Sequence, residues 1–524
     1  MTVEYLLITA VVMFGHMEDF LGAALFSRPL VLGPLVGLAL GDPVQGIIIG
    51  ATLELIFMGN IKVGAAIPPD VITGGALGTA FAIMSGNGAE IALAIAIPVS
   101  IIAEIIISGL FVVRPALNSR FEKYAAEGNF KKIEVLHVAS GLTKPLLMGT
   151  LAFLALQLGD EAMQTFLNSI PAWVQSGLSV AGSMLPAVGF AMLMNLMFNK
   201  HAAVYFFLGF ILASYLKLPM IAIGALGIII AIIITGAAGN STDSEEYSND
   251  DEQEPVADRQ ITKRDLRKVF FRSLALEANF NFETWQNTGF AYSIIPVLKK
   301  LYHTKEQMSS ALRRHLQFFN TTAHGSTLIL GITAAMEEQN STSGDFDTES
   351  INAVKSGLMG PLAGVFDSLF WGTLKVIAAG IGVSLAMDGN MLGPLLFILI
   401  FNIPHFSLRY YMTFAGYNTG NRFLQNLARS GIMAKLTSGA TILGLMVIGA
   451  MPVILMPLKT PITIGTQGSE VSLQMILDQL APGLLSLALT FFAFWLVRRN
   501  IKTTWILLGI LVLGFVGSIL NIFI

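Results

Sequence analysis

Long apolar runs separated by short polar or glycine- and proline-containing breaks recur along almost the whole chain. The run from Ile91 to Val113 holds a single charged residue, Glu104, and is long enough for a bilayer, which a helix of about 20 residues can cross. Roughly eight or nine such segments lie between Leu6 and Ile234, and more follow in the last third of the chain. The pattern predicts an all-α, polytopic integral membrane protein.

One stretch, from Gly50 to Gly75, does not have the pattern of a plain spanning helix, because charged and amide residues, glycines and a proline pair interrupt it. Its polar residues are Glu54, Asn60, Lys62 and Asp70. Charges at membrane depth are costly, and irregular backbone persists there only inside protein or along a wet cavity. We therefore expect a broken or re-entrant segment that presents polar groups to a small polar ligand. The alternative is a helix, a polar loop and a second helix that starts at Pro68.

The composition changes between Asn240 and Arg259, where acidic and small polar residues replace the apolar pattern. Such a segment has no apolar face to bury, so it is expected to be disordered. The sequence thus predicts a membrane unit at 1–239, an acidic disordered linker at 240–260 and a second membrane unit at 261–524.

Basic residues indicate the orientation of both units. The break from Arg114 to Lys132 is the most basic of the first unit, and another basic cluster directly follows the linker. By the positive-inside rule both lie in the cytoplasm, and the linker lies there with them. Near the N-terminus Asp19 is expected either to take part in a site or to lie beside a helix end at which Arg28 snorkels to the interface.

Composition narrows the possible chemistry. The chain is 54% hydrophobic and 12% charged, whereas average soluble domains are about 25% charged. It contains no cysteine, which excludes disulfides, thiolate metal sites and a phosphocysteine relay. We expect no metal site, no cofactor and no nucleic acid partner, and the lipid bilayer is the expected surrounding.

The second unit concentrates amides, carboxylates and aromatic residues in three segments: 279–286, 315–321 and 360–372. The last of them places Asp367 close to Trp371 within an apolar run. Amides and carboxylates can hold several hydroxyl groups in fixed geometry, and aromatic faces can cover the C–H side of a sugar ring. The alternative for each segment is a network of satisfied polar groups between helices.

Several motifs of this sequence resemble a known family. Those of the first unit are Ser27-Arg-Pro-Leu, Gly46-Ile-Ile-Ile-Gly50, Thr52-Leu-Glu54 and Gly64-Ala-Ala-Ile-Pro-Pro-Asp70. Those of the second are Asn281-Phe-Glu283, Arg313-Arg-His-Leu316, Phe318-Phe-Asn-Thr321, Gly357-Leu-Met-Gly-Pro-Leu-Ala-Gly364 and Gly393-Pro-Leu-Leu-Phe397. They are similar to the C and D membrane subunits, respectively, of the mannose/fructose/sorbose family of the bacterial phosphoenolpyruvate-dependent sugar phosphotransferase system (PTS).

This resemblance implies a sugar carrier of the bacterial inner membrane in which the C and D parts enclose the sugar. It also implies a homotrimer of the fused chain, an elevator-like movement, and soluble A and B phosphocarrier subunits that deliver the phosphoryl group through a phosphohistidine. No catalytic, phosphoryl-accepting residue is then expected on this chain. The sequence departs from the family pattern at Phe366-Asp367-Ser368 and at Asn320-Thr-Thr-Ala-His324, which leaves the identity of the sugar open.

Our interpretation is a fused C and D permease that binds and translocates a hexose or a hexose derivative. The expected sugar contacts are Asp19, Glu54, Asn60, Asp70, Asn281, Glu283, Gln286, Asn320 and Asp367. The alternative is an ion-coupled secondary transporter of a small polar solute with Asp70 and Asp367 as coupling carboxylates. A receptor or scaffold that transports nothing is a third possibility, but it does not account for carboxylates in the apolar segments of both units.

Overall fold

The computed structural model describes the chain with short gaps. The described residues are 2–59, 69–86, 88–169, 172–198, 202–235, 260–342, 346–429, 432–456, 458–464, 471–499, 501 and 503–523. Asn60, Lys62, Pro68 and the acidic stretch 240–259 therefore lie outside the described residues.

The first half consists of eleven helices in its described part. They are α1 (Thr2–His16), α2 (Pro29–Leu40), α3 (Pro43–Phe57), α4 (Val71–Met84), α5 (Ala89–Val113), α6 (Asn118–Ala126), α7 (Phe130–Ser169), α8 (Ala172–Met184), α9 (Pro186–Met197), α10 (Ala203–Ser214) and α11 (Met220–Thr235). Short 3₁₀ turns at Met17–Phe20 and Arg114–Leu117 follow α1 and α5.

The second half adds eleven helices in its described part, one π-helical segment and one hairpin. The helices before the π segment are α12 (Lys263–Ser273), α13 (Asn287–Leu301), α14 (Lys305–His315), α15 (Ser326–Thr342) and α16 (Glu349–Phe366). The π segment is Asp367–Leu374. After it come α17 (Lys375–Ala386), α18 (Leu392–Arg429), α19 (Ile432–Leu455), β1 (Thr463–Ile464), β2 (Val471–Ser472), α20 (Leu473–Leu480), α21 (Leu484–Arg498) and α22 (Thr503–Ile519).

Four continuous helical stretches are long and apolar enough to cross a membrane, namely Ala89–Ala126, Phe130–Gly159, Glu349–Ala386 and Leu392–Asn418. Helices α20 and α21 would pass the same test together, but they are bent by 78° at a short break. Apart from the two-residue strands β1 and β2, which pair antiparallel, the described secondary structure is helical. The prediction of an all-helical, multi-pass membrane protein is thereby confirmed in outline.

The Gly50–Gly75 stretch contributes the end of α3 and the start of α4. These helices have 15 and 14 residues, fewer than the about 20 that a perpendicular span needs. Asp42 caps α3 by accepting a hydrogen bond from the Gln45 amide, and Asp70 caps α4 in the same way from the Thr73 amide. Close packing of α2 on α3 depends on small residues, because a side chain at Gly50 would lie 2.6 Å from the Pro29 carbonyl oxygen.

Buried side chains of the second half hold the two halves together by bonding to main-chain carbonyls of the first half. Arg409 Nη1 donates to the Gly22 oxygen at 2.9 Å, Lys375 Nζ to the Met58 oxygen at 3.0 Å, and Asn402 Nδ2 to the Ala24 oxygen at 2.8 Å. All three donors are buried. Each is at a depth where an unpaired polar group is costly, so separation of the halves would carry a large penalty.

Side chains of the first half also bond to groups of the second half. Arg114 Nη1 donates to the Phe280 oxygen at 3.1 Å, and His137 bonds the Thr288 hydroxyl at 3.1 Å and the Ala275 oxygen at 3.0 Å. Glu134 of the first half pairs with Arg272 and Lys299 of the second. The two halves therefore share a polar and apolar interface along much of their length.

Cleavage of the acidic linker should leave the halves associated, because the bonds described above already join residues on both sides of it. A protease site inserted at Asn249 would be cut in the purified protein, and the two fragments would be followed by size-exclusion chromatography in detergent. We expect the two fragments to co-elute and to unfold at the same temperature as the uncut chain. Separate elution of the fragments would show that the covalent connection, rather than the packed interface, holds the halves together.

Candidate functional site

A cavity of about 420 Å³ lies between the two halves and receives residues from both. The first half contributes the turn after α1, the start of α4, and parts of α5 and α7. The second contributes the segments 277–286 and 320–323 and one face of the π segment. A volume of this size is within the range of pockets for small molecules, and the lining mixes carboxylates, cations, amides and aromatic rings.

The turn after α1 places two carboxylates at the cavity. Asp19 forms an ion pair with Lys144 of α7 at 2.8 Å, and both side chains are buried. Glu18 accepts backbone hydrogen bonds from Leu25 at 2.6 Å and Ser27 at 3.0 Å, which fixes the chain reversal that leads to α2. Lys144 is a lone cation in an apolar part of α7, and this is a recognisable signal of an intramembrane partner.

A second charged group lies where α2, α3 and α17 meet. Arg28 donates to both carboxylate oxygens of Glu54 at 2.9 and 3.2 Å and to the Phe57 carbonyl at 2.7 Å. Arg28 lines the cavity, whereas Glu54 is fully buried behind it. Arg28 is only 5% exposed, so it is an internal ion-pair partner rather than a cation that snorkels to the interface. Lys375 also lines the cavity.

Asp70 lies at the start of α4 and lines the cavity. One of its oxygens accepts the Thr73 amide at 3.0 Å, and the same oxygen lies 3.6 Å from Nε2 of the buried His16. His16 in turn bonds the Thr73 hydroxyl at 2.9 Å. The carboxylate is thus held in place by the helix terminus while its residue remains accessible from the cavity.

The π segment Asp367–Leu374 and the start of α17 bring three residues of the second half to the cavity, namely Asp367, Trp371 and Lys375. They are spaced by four positions, and residues four apart lie near one face of a helix. Single π turns within α-helices are frequent at functional sites.

The segment 277–286 forms an aromatic wall of the cavity with Phe280, Phe282 and Trp285. Main-chain bonds between Asn281 and Trp285 in both directions close a tight loop. Trp285 has a φ of 60°, a left-handed conformation that costs of order 1–3 kcal/mol in a bulky residue. The Asn281 side chain stabilises the loop by accepting the amides of Glu283 and Thr284 at 3.0 and 2.9 Å.

Gln286 connects this loop to the second cavity segment of the same half. Its side-chain oxygen accepts the Thr321 amide at 3.0 Å, and its Nε2 donates to Glu277 at 3.2 Å. The main-chain N–H of Gln286 donates a hydrogen bond to the main-chain oxygen of Phe319 at 2.9 Å. The residues 320–323 are thereby fixed against the aromatic wall.

A buried charge cluster anchors the other end of the 316–323 segment. Arg314 donates two hydrogen bonds to Glu337 at 2.8 and 2.9 Å, and His315 and Tyr302 bond the same carboxylate at 2.8 and 2.6 Å. Burial alone would raise the pKa of Glu337, but the bonds and charges of His315 and Arg314 lower it to about 2. Glu337 is outside the apolar stretches that could span the membrane, and it stays ionised at neutral pH. Lys355 adds a bond to the Arg314 carbonyl at 3.2 Å.

Five of the residues predicted as sugar contacts line the cavity together: Asp19, Asp70, Gln286, Asn320 and Asp367. Three others do not. Glu54 pairs with Arg28 behind the wall, Asn281 caps the loop, and Glu283 accepts a hydrogen bond from Asn118 at 2.8 Å at the surface. Asn60 lies outside the described residues.

Other lining residues were not among the predicted sugar contacts, including Glu18, Arg28, Glu104, Lys144, Glu277, Trp285, Trp371 and Lys375. A lone cation within an apolar helix was a usable signal for Lys144 and Lys375. Trp285 and Trp371 occur in segments already noted for sugar-like chemistry, but their orientation depends on the loop and on the π segment.

Two family models match the chain, one in each half. The model described as the PTS sorbose-specific IIC component matches residues 2–233, and the model described as the PTS mannose/fructose/sorbose family IID component matches residues 260–523. The chain belongs to the mannose/fructose/sorbose family of the phosphotransferase system. It is a membrane component of a PTS sugar permease that unites a C part and a D part in one polypeptide.

Curated relatives agree with this assignment for both halves. The chain is 40% identical to the mannose-specific EIID component of Escherichia coli K12 over 274 residues, which is 51% of this chain and 96% of that protein. It is 42% identical to the sorbose-specific EIID component of Klebsiella pneumoniae over 50% of this chain and 98% of that protein. It is 32% identical to the mannose-specific EIIC component of E. coli K12 over 44% of this chain and 88% of that protein.

A solved structure titled as the mannose transporter ManYZ in complex with microcin E492 contains a chain similar to the second half. The identity is 40%, the match covers 50% of this chain and 98% of that one, and the TM-score is 0.31.

Replacement of Asp70 separates its role as a helix cap from its role in the cavity. Asp70→Asn keeps a good N-cap, whereas Asp70→Ala loses it at a cost of about 1 kcal/mol. We expect both variants to bind sugar at least tenfold more weakly, and only the alanine variant to unfold at lower temperature. Asp42→Asn, which changes the cap of α3 away from the cavity, should behave like the unmodified chain in both assays. Unchanged sugar affinity of Asp70→Asn would remove Asp70 from the binding site.

Proposed function

We propose that the cavity between the two halves binds a hexose or a hexose derivative, which the permease carries across the bacterial inner membrane. The observation that supports this most directly is the shared lining: carboxylates of both halves, together with amides and indole rings of the second half, surround a volume of about 420 Å³. Such a mixture is costly to bury without a polar ligand that uses it.

The lining residues have complementary tasks in this proposal. Asp19, Asp70 and Asp367 accept hydrogen bonds from sugar hydroxyls, and Asn320 both donates and accepts. Gln286 is already committed to Thr321 and Glu277, so it positions the 320–323 segment and contacts the sugar with its remaining donor. The indoles of Trp285 and Trp371 cover the apolar side of the ring.

Selectivity among sugars is assigned to the two places at which this chain departs from the family pattern. Asp367 lies in the π segment, and Thr322 and Ala323 line the cavity next to the buried His324. His324 stacks on Phe370 with ring centroids 4.2 Å apart and meets Trp371 edge-on at 5.4 Å. A change in the stacking of these rings would move Trp371. The two departures from the family pattern therefore set the shape of the cavity wall that the second half contributes.

The transport step is proposed to follow group translocation. Soluble A and B subunits pass a phosphoryl group along histidines, and the B subunit transfers it to a sugar hydroxyl when the sugar reaches the cytoplasm. An elevator-like displacement of one part of the chain, in a homotrimer, would carry the sugar. Residues 1–239 and 261–524 form the C and D membrane domains in this arrangement, and the acidic linker that joins them lies in the cytoplasm.

Uptake by reconstituted vesicles tests the transport class and the site together. A panel of labelled hexoses, amino sugars and glycosylated amino acids would be offered with and without the cognate A and B proteins. We expect accumulation of sugar phosphate only when both carriers are present. Proton- or sodium-driven uptake of unmodified solute would instead support an ion-coupled transporter.

For the sugar selected in that panel, Asp367→Asn and Trp371→Ala should raise the dissociation constant at least tenfold. Glu283→Gln is the matched control, because Glu283 lies in the same half but outside the cavity lining, and its affinity should not change. Equal losses in all three variants would show that the affinity depends on the fold of the second half rather than on the cavity.

The chain should not carry the phosphoryl group itself. His16, His137, His315, His324 and His405 are buried, and among the described histidines only His303 is exposed. Phosphoryl transfer depends on positioning and charge stabilisation, and a buried imidazole is out of reach of a soluble partner. With phosphoenolpyruvate labelled in its phosphate, the general carriers and the A and B proteins, label should appear on those proteins and on the sugar. Any acid-labile label on this chain would contradict the prediction, and its loss in His303→Ala would assign it to His303.

A further inference from the structure

A second, larger cavity lies outside the sugar site. This cleft has a volume of about 1210 Å³ and is open, and it is formed by both halves. Its walls are the α6–α7 connection at 126–131, one side of α14 from Lys305 to Gln317, and the start of α16 at 348–352. The transport proposal makes no use of it.

The surface that surrounds the cleft carries an excess of positive charge. Within the cleft, the exposed cations Lys131, Lys305 and Arg313 are matched in number by the exposed carboxylates Glu127, Glu306 and Glu349. The first turns of α7, α14 and α16 also line it, and helix N-termini carry partial positive charge. Around it, the segments 114–132 and 299–313 expose eight cations but only three carboxylates: Arg120, Lys123, Lys131, Lys132, Lys299, Lys300, Lys305 and Arg313 against Glu122, Glu127 and Glu306. By the positive-inside rule this surface faces the cytoplasm.

The shape of the cleft is built into the fold. Gly128, at the α6–α7 connection, has a φ of 63°, and a side chain there would lie 2.7 Å from the main-chain oxygen of Lys305. Only glycine combines this positive φ with such a close approach of another main chain at low cost. The first half therefore closes directly against the N-terminus of α14, and the two walls of the cleft are held in a fixed relation.

The cleft is close to the sugar cavity along two paths. Gln317 lines the cleft and Asn320 lines the cavity, and three positions of chain span at most about 11 Å. Helix α6 makes the second link, because Asn118 at its start bonds Glu283 next to the cavity residue Phe282, and Ala126 at its end lines the cleft. Its nine residues cover about 12 Å.

We propose that this cleft is the docking surface for the soluble phosphohistidine-bearing B subunit, whose contacting face is then expected to be acidic. The inference rests on the proposed function, since it assumes that a partner must bring a phosphoryl group to the sugar. The cleft wall at Gln317 lies within about 11 Å of the cavity wall at Asn320, which is the length of a short loop. The carboxylates Glu127, Glu306 and Glu349 in the same cleft fit the mixed charges of a protein surface better than a uniformly anionic lipid surface.

Charge reversal in the cleft tests the proposal. The chain would be placed in nanodiscs of neutral lipid and titrated with the cognate B subunit. Lys305→Glu/Arg313→Glu should raise the dissociation constant of the B subunit at least tenfold and leave sugar affinity unchanged. Lys263→Glu/Arg264→Glu is the matched control, since it makes the same charge change at two exposed residues outside the cleft, and it should change B-subunit affinity less than twofold.

Cross-linking gives a second readout that does not depend on charge. Because the chain has no cysteine, a single Ser310→Cys on the cleft wall can carry a photoactivatable cross-linker alone, with Gln339→Cys, which is exposed but outside the cleft, as control. We expect capture of the B subunit from Ser310→Cys only. Equal effects in cleft and control variants, or an effect that appears only with anionic lipid, would overturn the docking site. Absence of sugar binding by the unmodified chain would instead contradict the transport proposal.

Discussion

The need to pair or hydrogen-bond charged side chains inside the membrane organises this structure. Arg28 and Glu54 neutralise each other within the first half, Asp19 and Lys144 join two distant helices of the same half, and Lys375 reaches across to a main-chain oxygen. An unpaired ion at this depth would cost several kcal/mol, so each of these side chains constrains the helices on both sides of it. The cavity walls are fixed by the same bonds that make the charges tolerable.

Much of the site could be predicted because polar residues within apolar runs are conspicuous. Asp19, Asp70 and Asp367 were identified on this ground, and the structure brings them to one cavity. Sequence reasoning could not distinguish a polar side chain that faces the cavity from one that faces another protein group. Glu54 and Asn281 carry the same chemical signal but serve an ion pair and a loop cap, since the rotation of a helix and the closure of a loop decide which way each points.

The π segment of the second half could not be predicted from the sequence pattern. An insertion of one residue into a helical turn leaves hydrophobic periodicity nearly unchanged, so the wider turn that carries Asp367 and Trp371 could not be read from the spacing of apolar residues. The cluster around Glu337 was equally hidden, because its members come from three separate helices and the segment after α13. In contrast, composition alone predicts a division into two membrane units, and the two family matches fall on either side of the acidic stretch.

The hydrogen bonds between the halves restrict the amino acid at the donor position more than at the acceptor position. Asn402 and Lys375 of the second half must be retained as donors, but their acceptors at Ala24 and Met58 are main-chain oxygens that any amino acid would supply. Gly22 is the exception, because its positive φ and its closeness to Arg409 both restrict the side chain. The first half can therefore drift in sequence at most of these positions without loss of recognition. A pair of genes that encoded the halves separately would need to coevolve at few sites, and their fusion into one reading frame would require no new interface.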